Sequence, residues 1–232
     1  MAATWLGRVD YGTAWSAQGE LFNARRAGAI GDCLLLLEHP PTYTLGRRTG
    51  PSDLIYDDSS RAARSISLYE VDRGGRATYH GPGQLVGYPI ISLGERYDVI
   101  AYVRKLEEVL IRTAADLGLE ARRKRDTGVW VGNDKLAAIG VKITRGITMH
   151  GFALNLTTDL TMFAGIVPCG LNDRGVTSVE AITGRAHSVR AAAVIAAHHA
   201  GVVFGRRLVW TAPDDLGAPS LTRAPLTSST TA

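Results

Sequence analysis

A chain of 232 residues, 45% hydrophobic and 21% charged, can bury a full core as one domain or two small ones and sits among soluble globular proteins. Its two cysteines exclude a disulfide framework and fit a reducing cytoplasm. Apolar runs such as 191–197 are too short to cross a membrane, and no charged leader precedes an apolar segment at the N-terminus, so neither membrane anchor nor signal peptide is expected.

Asp10 predicts the cap of a helix that carries Trp15, Leu21 and Phe22 and ends at Gly28. Residues 32–38 read as a buried strand, 42–45 as a short extended piece, and 66–71 as an alternating strand. That strand enters a glycine-rich segment, Arg73 to Gln84, followed by a strand over 85–93. Asp98 caps the clearest helix, whose apolar stripe runs Val99, Val103, Leu106, Leu110, Ala114, Leu117 and stops at Gly118. Strands over 128–131, 135–144 and 147–156 follow, joined by tight turns at 132–134 and 145–146. Short helices are expected near 158–165 and 178–183, and a longer one from Ser188 to about Phe204. From Pro213 onward Pro, Ser, Thr and Gly dominate, so residues 1–212 read as a single domain and 213–232 as a disordered tail. Strict βαβ alternation is missing, which favours an α/β (α+β) mixed sheet flanked by helices over a doubly wound fold.

Chemistry concentrates in few places. Cys33 lies inside an apolar run, where a thiol acts as a small buried hydrophobe. Cys169, between Pro168 and Gly170 in a stretch without periodicity, reads either as a loop cysteine or as a presented nucleophile. Of 26 basic residues only Lys105, Lys124, Lys135 and Lys142 are lysines, which shortens the list of catalytic amines. Alternation over 135–143 puts Lys135 on the apolar face with Ala137, Ile139, Val141 and Ile143. A desolvated lysine there exchanges protons near neutrality; a snorkelling lysine at a strand start is the equal alternative. Lys142 falls on the opposite face and reads as solvent-facing.

The segment Arg73-Gly74-Gly75-Arg76-Ala77-Thr78-Tyr79-His80, followed by Gly81-Pro82-Gly83-Gln84, holds a histidine in a turn and lets backbone approach a ligand; it lacks the spacing of a phosphate loop. In Met149-His150-Gly151-Phe152-Ala153, small residues leave room beside a strand, and His150 reads first as a structural histidine. His198 and His199 diverge on a helix, and no histidine pair has zinc spacing, so no metal is expected. The cluster Arg122-Arg123-Lys124-Arg125 reads first as solvated surface and second as a dock for an acidic partner. Nucleic acid comes third, for want of interleaved aromatics.

These residues, in this order, resemble the lipoyl(octanoyl) transferase family from about Gly31 to Ile182. The resemblance rests on 73–84, on Lys135 to Gly140, on His150 to Asn155 and on Pro168-Cys169-Gly170. It implies the fold of biotin and lipoate protein ligases and a catalytic pair matching Cys169 and Lys135. It also implies acyl-binding segments matching Arg73–His80, Ala138-Ile139-Gly140 and Gly151-Phe152-Ala153, with His150 in support. The implied reaction moves octanoyl from octanoyl-acyl carrier protein to a lysine of lipoyl domains through an octanoyl-cysteine thioester, without ATP or another cofactor. The implied acceptors are the E2 subunits of 2-oxoacid dehydrogenases and the glycine cleavage H protein. Arg47 and Arg48, with the 122–125 cluster, are candidate docking charges, and Gly140 or Gly170 a candidate oxyanion donor. The rivals are an ATP-dependent lipoate–protein ligase of the same fold, which needs no cysteine, a non-catalytic binding module, and an RNA-binding domain.

Overall fold

The strand Cys33–Glu38 explains the layering of the molecule. In a computed structural model that describes residues 1–167 and 175–223, Leu34 and Leu36 face one core while Cys33, Leu35 and Leu37 face another. An unbroken apolar run is what a strand covered on both faces requires.

In chain order the elements are β1 (Ala2–Arg8), α1 (Tyr11–Arg26), β2 (Cys33–Glu38), β3 (Thr42–Leu45), α2 (Asp58–Ala62), β4 (Ser67–Glu70), β5 (Thr78–His80) and β6 (Gln84–Ile90). Then come α3 (Val99–Asp116), β7 (Val129–Val131), β8 (Asp134–Thr144), β9 (Ile147–Asn155), α4 (Val179–Thr183), α5 (Val189–Phe204), β10 (Val209–Trp210) and α6 (Pro219–Arg223). Short 3₁₀ segments occupy Pro51–Asp53, Leu160–Gly165 and Pro213–Leu216. Seven strands form one mixed sheet in the order β10-β1-β2-β6-β9-β8-β7, and β4-β3-β5 form a small second sheet. Helices α3 and α5 pack on one face of the large sheet and α1 on the other. The expected mixed sheet flanked by helices is what the chain builds.

Local signals account for most boundaries. Asp10 and Asp98 cap α1 and α3 by accepting from Thr13, and from Ile100 and Ala101. The β8–β9 hairpin turns at Arg145 and Gly146, both at positive φ, as a two-residue turn with native strand twist demands. Strand β1 escapes the sequence reading because its side chains do not alternate, and its parallel pairing with β2 comes from tertiary context. The tail also differs from expectation over 213–223. Leu216, Ala218 and Leu221 are buried in the core beneath α1, and Ser220 donates to Glu20 on that helix. Apolar burial there outweighs a turn-rich composition. Residues 224–232 lie outside the described residues.

Candidate active site

The hairpin β8–β9 is the floor of the site. Ala138 pairs with Ala153, Ile139 with Phe152 and Gly140 with Gly151, which sets two of the predicted segments side by side. The third, 73–80, crosses over them: Gly74 N–H donates to the Val141 carbonyl at 2.9 Å. Between these layers lies a cleft with about 480 Å³ of empty space, part of it open to solvent. Arg73, Gly75, Arg76, Ala77, Thr78 and His80 line it from above, and Ala138, Ile139, Gly140, His150, Gly151, Phe152 and Ala153 from below. Gly74 and Tyr79 do not line it; Tyr79 points into a separate cluster with Tyr43 and Phe163.

The glycines on the floor have a different reason from the expected room for ligand. A Cβ on Gly151 would stand 2.1 Å from the Gly87 carbonyl oxygen, and one on Gly140 would stand 2.8 Å from Arg73 Cδ. Both positions are glycine because neighbouring chain lies against them. Arg73 itself is buried, its guanidinium donating to the Thr44 carbonyl and hydroxyl at 2.8 Å and to the Gly74 carbonyl at 3.0 Å.

Lys142 is not solvent-facing. Its ammonium donates to Asp72 at 2.5 Å, and the other carboxylate oxygen of Asp72 accepts from His150 Nε2 at 2.8 Å. The hydrogen bond from His150, with Lys142 second, holds the Asp72 carboxyl below the usual carboxylate range. Burial depresses His150, so its imidazole is neutral at neutral pH. His150 sits in β9 at a φ of 56°, unusual for a non-glycine residue, and its backbone N–H donates to Gln18.

Deeper in the cleft stand groups that sequence reasoning missed. Tyr11 and Tyr88 line it, and His39 lies behind them. His39 Nδ1–H donates to the Val9 carbonyl at 2.7 Å, leaving Nε2 to accept from the Tyr88 hydroxyl at 2.7 Å. Complete burial brings His39 down to about 4, and burial takes His80 well below its ordinary value. His80 donates to Gln84, whose amide reaches Asn155, which in turn donates to the Thr177 carbonyl. A histidine before Pro40-Pro41 and a tyrosine just inside a helix cap were the only available signals.

Lys135 is placed differently from the alternation. Trp130 pairs with Lys135 and Val129 with Ala137, so Leu136 is an extra residue in β8. Leu136 and Ala137 are both buried in the α3–α5 core, and Lys135 falls instead on the face of Trp130. It is only 6% exposed. Chain on either side of residues 168–174 is pinned. Val167 N–H donates to the Asp53 carbonyl at 2.9 Å, while Lys135 donates to Gly175 and accepts from Thr177, both at 3.0 Å. Pro168, Cys169 and Gly170 themselves lie outside the described residues. Cys33, by contrast, is packed in the core, and burial pushes its thiol up to about 12.

Two side chains of the 122–125 cluster are engaged within the fold, while Arg122 and Arg125 are exposed. Arg123 bridges Glu107 and Glu108, and Lys124 donates to Asn133, while Arg47 and Arg48 are exposed. Among the described residues no cluster of metal-ligating side chains occurs, and no helix is long and apolar enough to cross a membrane.

Residues 10–200 match the model of the lipoyl protein ligase A/B catalytic domain. An octanoyltransferase of Acidobacterium capsulatum is 48% identical over 229 residues, covering 91% of this chain and 93% of that protein. The chain belongs to the octanoyltransferase family. Its relatives include the octanoyltransferase of Koribacter versatilis, 45% identical across 96% of this chain and 93% of its own, and that of Mycobacterium tuberculosis, 53% identical across 79% and 78%. Solved structures share the fold at low identity. A lipoate protein ligase from T. acidophilum with bound lipoic acid superposes with a TM-score of 0.76 at 15% identity, covering 96% of this chain and 93% of that one. Lipoate-protein ligase A bound with ATP gives 0.73 at 16%, covering 96% and 95%. The fold is therefore that of the biotin and lipoate ligase catalytic domains, carried by a family named for octanoyl transfer.

Proposed function

We propose that the protein transfers an octanoyl group from octanoyl-acyl carrier protein to a lysine amine of lipoyl domains, in the cytoplasm, with Cys169 as nucleophile and Lys135 as its partner. The observation that carries this reading is the backbone pairing of Lys135 with Gly175 and Thr177, the chain that leaves the segment containing Cys169. Cys169 is two residues beyond Val167 and six before Gly175.

A free thiol titrates near ~8.5, so a small fraction is thiolate at neutral pH. A nearby ammonium from Lys135 favours the thiolate, and a tenfold gain in the thiolate-to-thiol ratio corresponds to about 1.4 kcal/mol. The thiolate adds to the donor carbonyl, the carrier C–S bond breaks, and the departing carrier thiolate takes a proton from the Lys135 ammonium, which leaves that amine neutral. The acyl chain, now a thioester on Cys169, lies in the cleft between 73–80 and the β8–β9 floor. The acceptor amine then attacks that carbonyl, the Cys169 C–S bond breaks, and a stable amide forms. Lys135, once neutral, takes the proton the amine sheds. One thioester is exchanged for another in the first step, so no nucleotide is needed.

Lipoyl domains of 2-oxoacid dehydrogenase E2 subunits and the glycine cleavage H protein are the expected acceptors. Exposed Arg47 and Arg48 are the candidate docking charges for the acidic carrier. The test is transfer to a purified lipoyl domain with and without ATP. Full transfer from octanoyl-acyl carrier protein without ATP is expected. A requirement for ATP and free octanoate would replace this reading with the lipoate ligase one.

A further inference from the structure

Trp130 stands opposite Lys135 across the β7–β8 pair, at the bulge. Lys135 Nζ lies 4.7 Å from the centroid of its ring. Both side chains are buried, Trp130 completely. An ammonium at that separation is attracted by the negative face of the ring, and more strongly where water is excluded. The indole is itself fixed, its Nε1–H donating to the Asp126 carbonyl at 3.2 Å. The lysine stem is guided as well. Gly128, at a φ of 129°, runs beneath it, and a Cβ there would stand 3.3 Å from Lys135 Cε and 2.7 Å from the Ala137 carbonyl oxygen.

We infer that Trp130 is a positioning residue for the acyl transfer: its indole face holds the Lys135 ammonium at the site of the thiol chemistry. The assignment rests on the proposed Cys169–Lys135 pair. It explains why a bulge is kept where β8 begins. In a regular strand with Leu136 paired in register, Lys135 would share the face of Ala137, toward the α3–α5 core, and lose the ring. The ring does not touch the acyl group in this account; it acts through the lysine. Lys124, in a less buried position, places its Nζ 5.3 Å from the centroid of the same ring.

The experiment replaces Trp130 in the full chain with monofluoro-, difluoro- and tetrafluorotryptophan, which drain the ring's negative face with little change of shape. Trp130→Phe and Trp130→Leu accompany the series, and thermal unfolding checks each variant. Two readouts are taken: the single-turnover rate of Cys169 acylation by octanoyl-acyl carrier protein, and the pH profile of Cys169 alkylation. Stepwise fluorination is expected to slow acylation, by about tenfold for the tetrafluoro ring. It should move thiol alkylation to higher pH and leave the KM for the donor unchanged. Trp130→Phe keeps a ring face and stays within a few-fold of the parent, well above Trp130→Leu. A tetrafluoro protein with parental rate and parental alkylation profile would overturn the assignment, as would equal rates for the Phe and Leu variants. Lys135→Ala separates the two levels. If it acylates at the parental rate, the Cys169–Lys135 reading fails and the assignment with it. If it is impaired while fluorination is silent, the assignment alone fails.

Discussion

Acid should loosen the back of the cleft before it reaches the carboxylates, and His39 sets the scale. Its imidazole is fully buried between the Val9 carbonyl and the Tyr88 hydroxyl, and its folded value is about 4 against an ordinary 6.5. A histidine with a depressed folded value binds fewer protons folded than unfolded. Its contribution is intact above the unfolded value and is lost as pH falls from 6.5 toward about 4. At pH 5 the loss from His39 is about 2 kcal/mol relative to pH 7.5, rising to roughly 3 kcal/mol near pH 4. His80 and His150 shift in the same direction. Urea denaturation of the wild type and of His39→Gln at stepped pH between about 7.5 and 4.5 measures it. The variant should be less stable at pH 7.5 by about 1 to 2 kcal/mol and should show a shallower fall with acid. Equal slopes for the two proteins would refute the reasoning, as would a wild type as stable at pH 5 as at pH 7.5.

Asp72→Asn takes the charge from between Lys142 and His150, a partly buried group of contacts worth about 1 kcal/mol; a small fall in Tm with a larger fall in acyl transfer is expected, and unchanged transfer would remove Asp72 from the site. Gly140→Ala brings a Cβ to 2.8 Å from Arg73 Cδ and 3.0 Å from the Gly74 carbonyl oxygen. Lifting that segment off β8 should cost about 1 to 3 kcal/mol in denaturant titration, and a silent substitution would mean the cleft roof gives way freely. Leu221→Ala should cost about 2 kcal/mol, since Leu221 is buried in the α1 core; no loss would return 213–223 to the status of a loose tail.

Much of the site was legible because its parts are local. Glycine-rich 73–80, the small residues at 138–140 and 151–153, and the tight turn at 145–146 are each visible in a few consecutive residues, and the hairpin register then brings two of them together. What was illegible depends on contacts distant in sequence or on one inserted residue. Alternation counts every position alike, so it put Lys135 with Ala137; the bulge at Leu136 reverses that. Lys142 looked solvent-facing because its partner, Asp72, is 70 residues away. The absent side chain of Gly151 suggested space for a ligand, whereas it admits β6, as that of Gly140 admits Arg73. His39 gave only the weak signal of a histidine before two prolines and Tyr88 none, since only the fold places the histidine behind the cleft.

The central claim is covalent transfer through Cys169. Intact mass after mixing the protein with octanoyl-acyl carrier protein, without ATP and beside Cys169→Ser, tests it most directly. One octanoyl group on the wild type alone, released by hydroxylamine, is the result predicted; Cys33, buried with its thiol pushed up to about 12, should stay unmodified. A folded wild type that carries no adduct, or a Cys169→Ser protein that carries one, would contradict it.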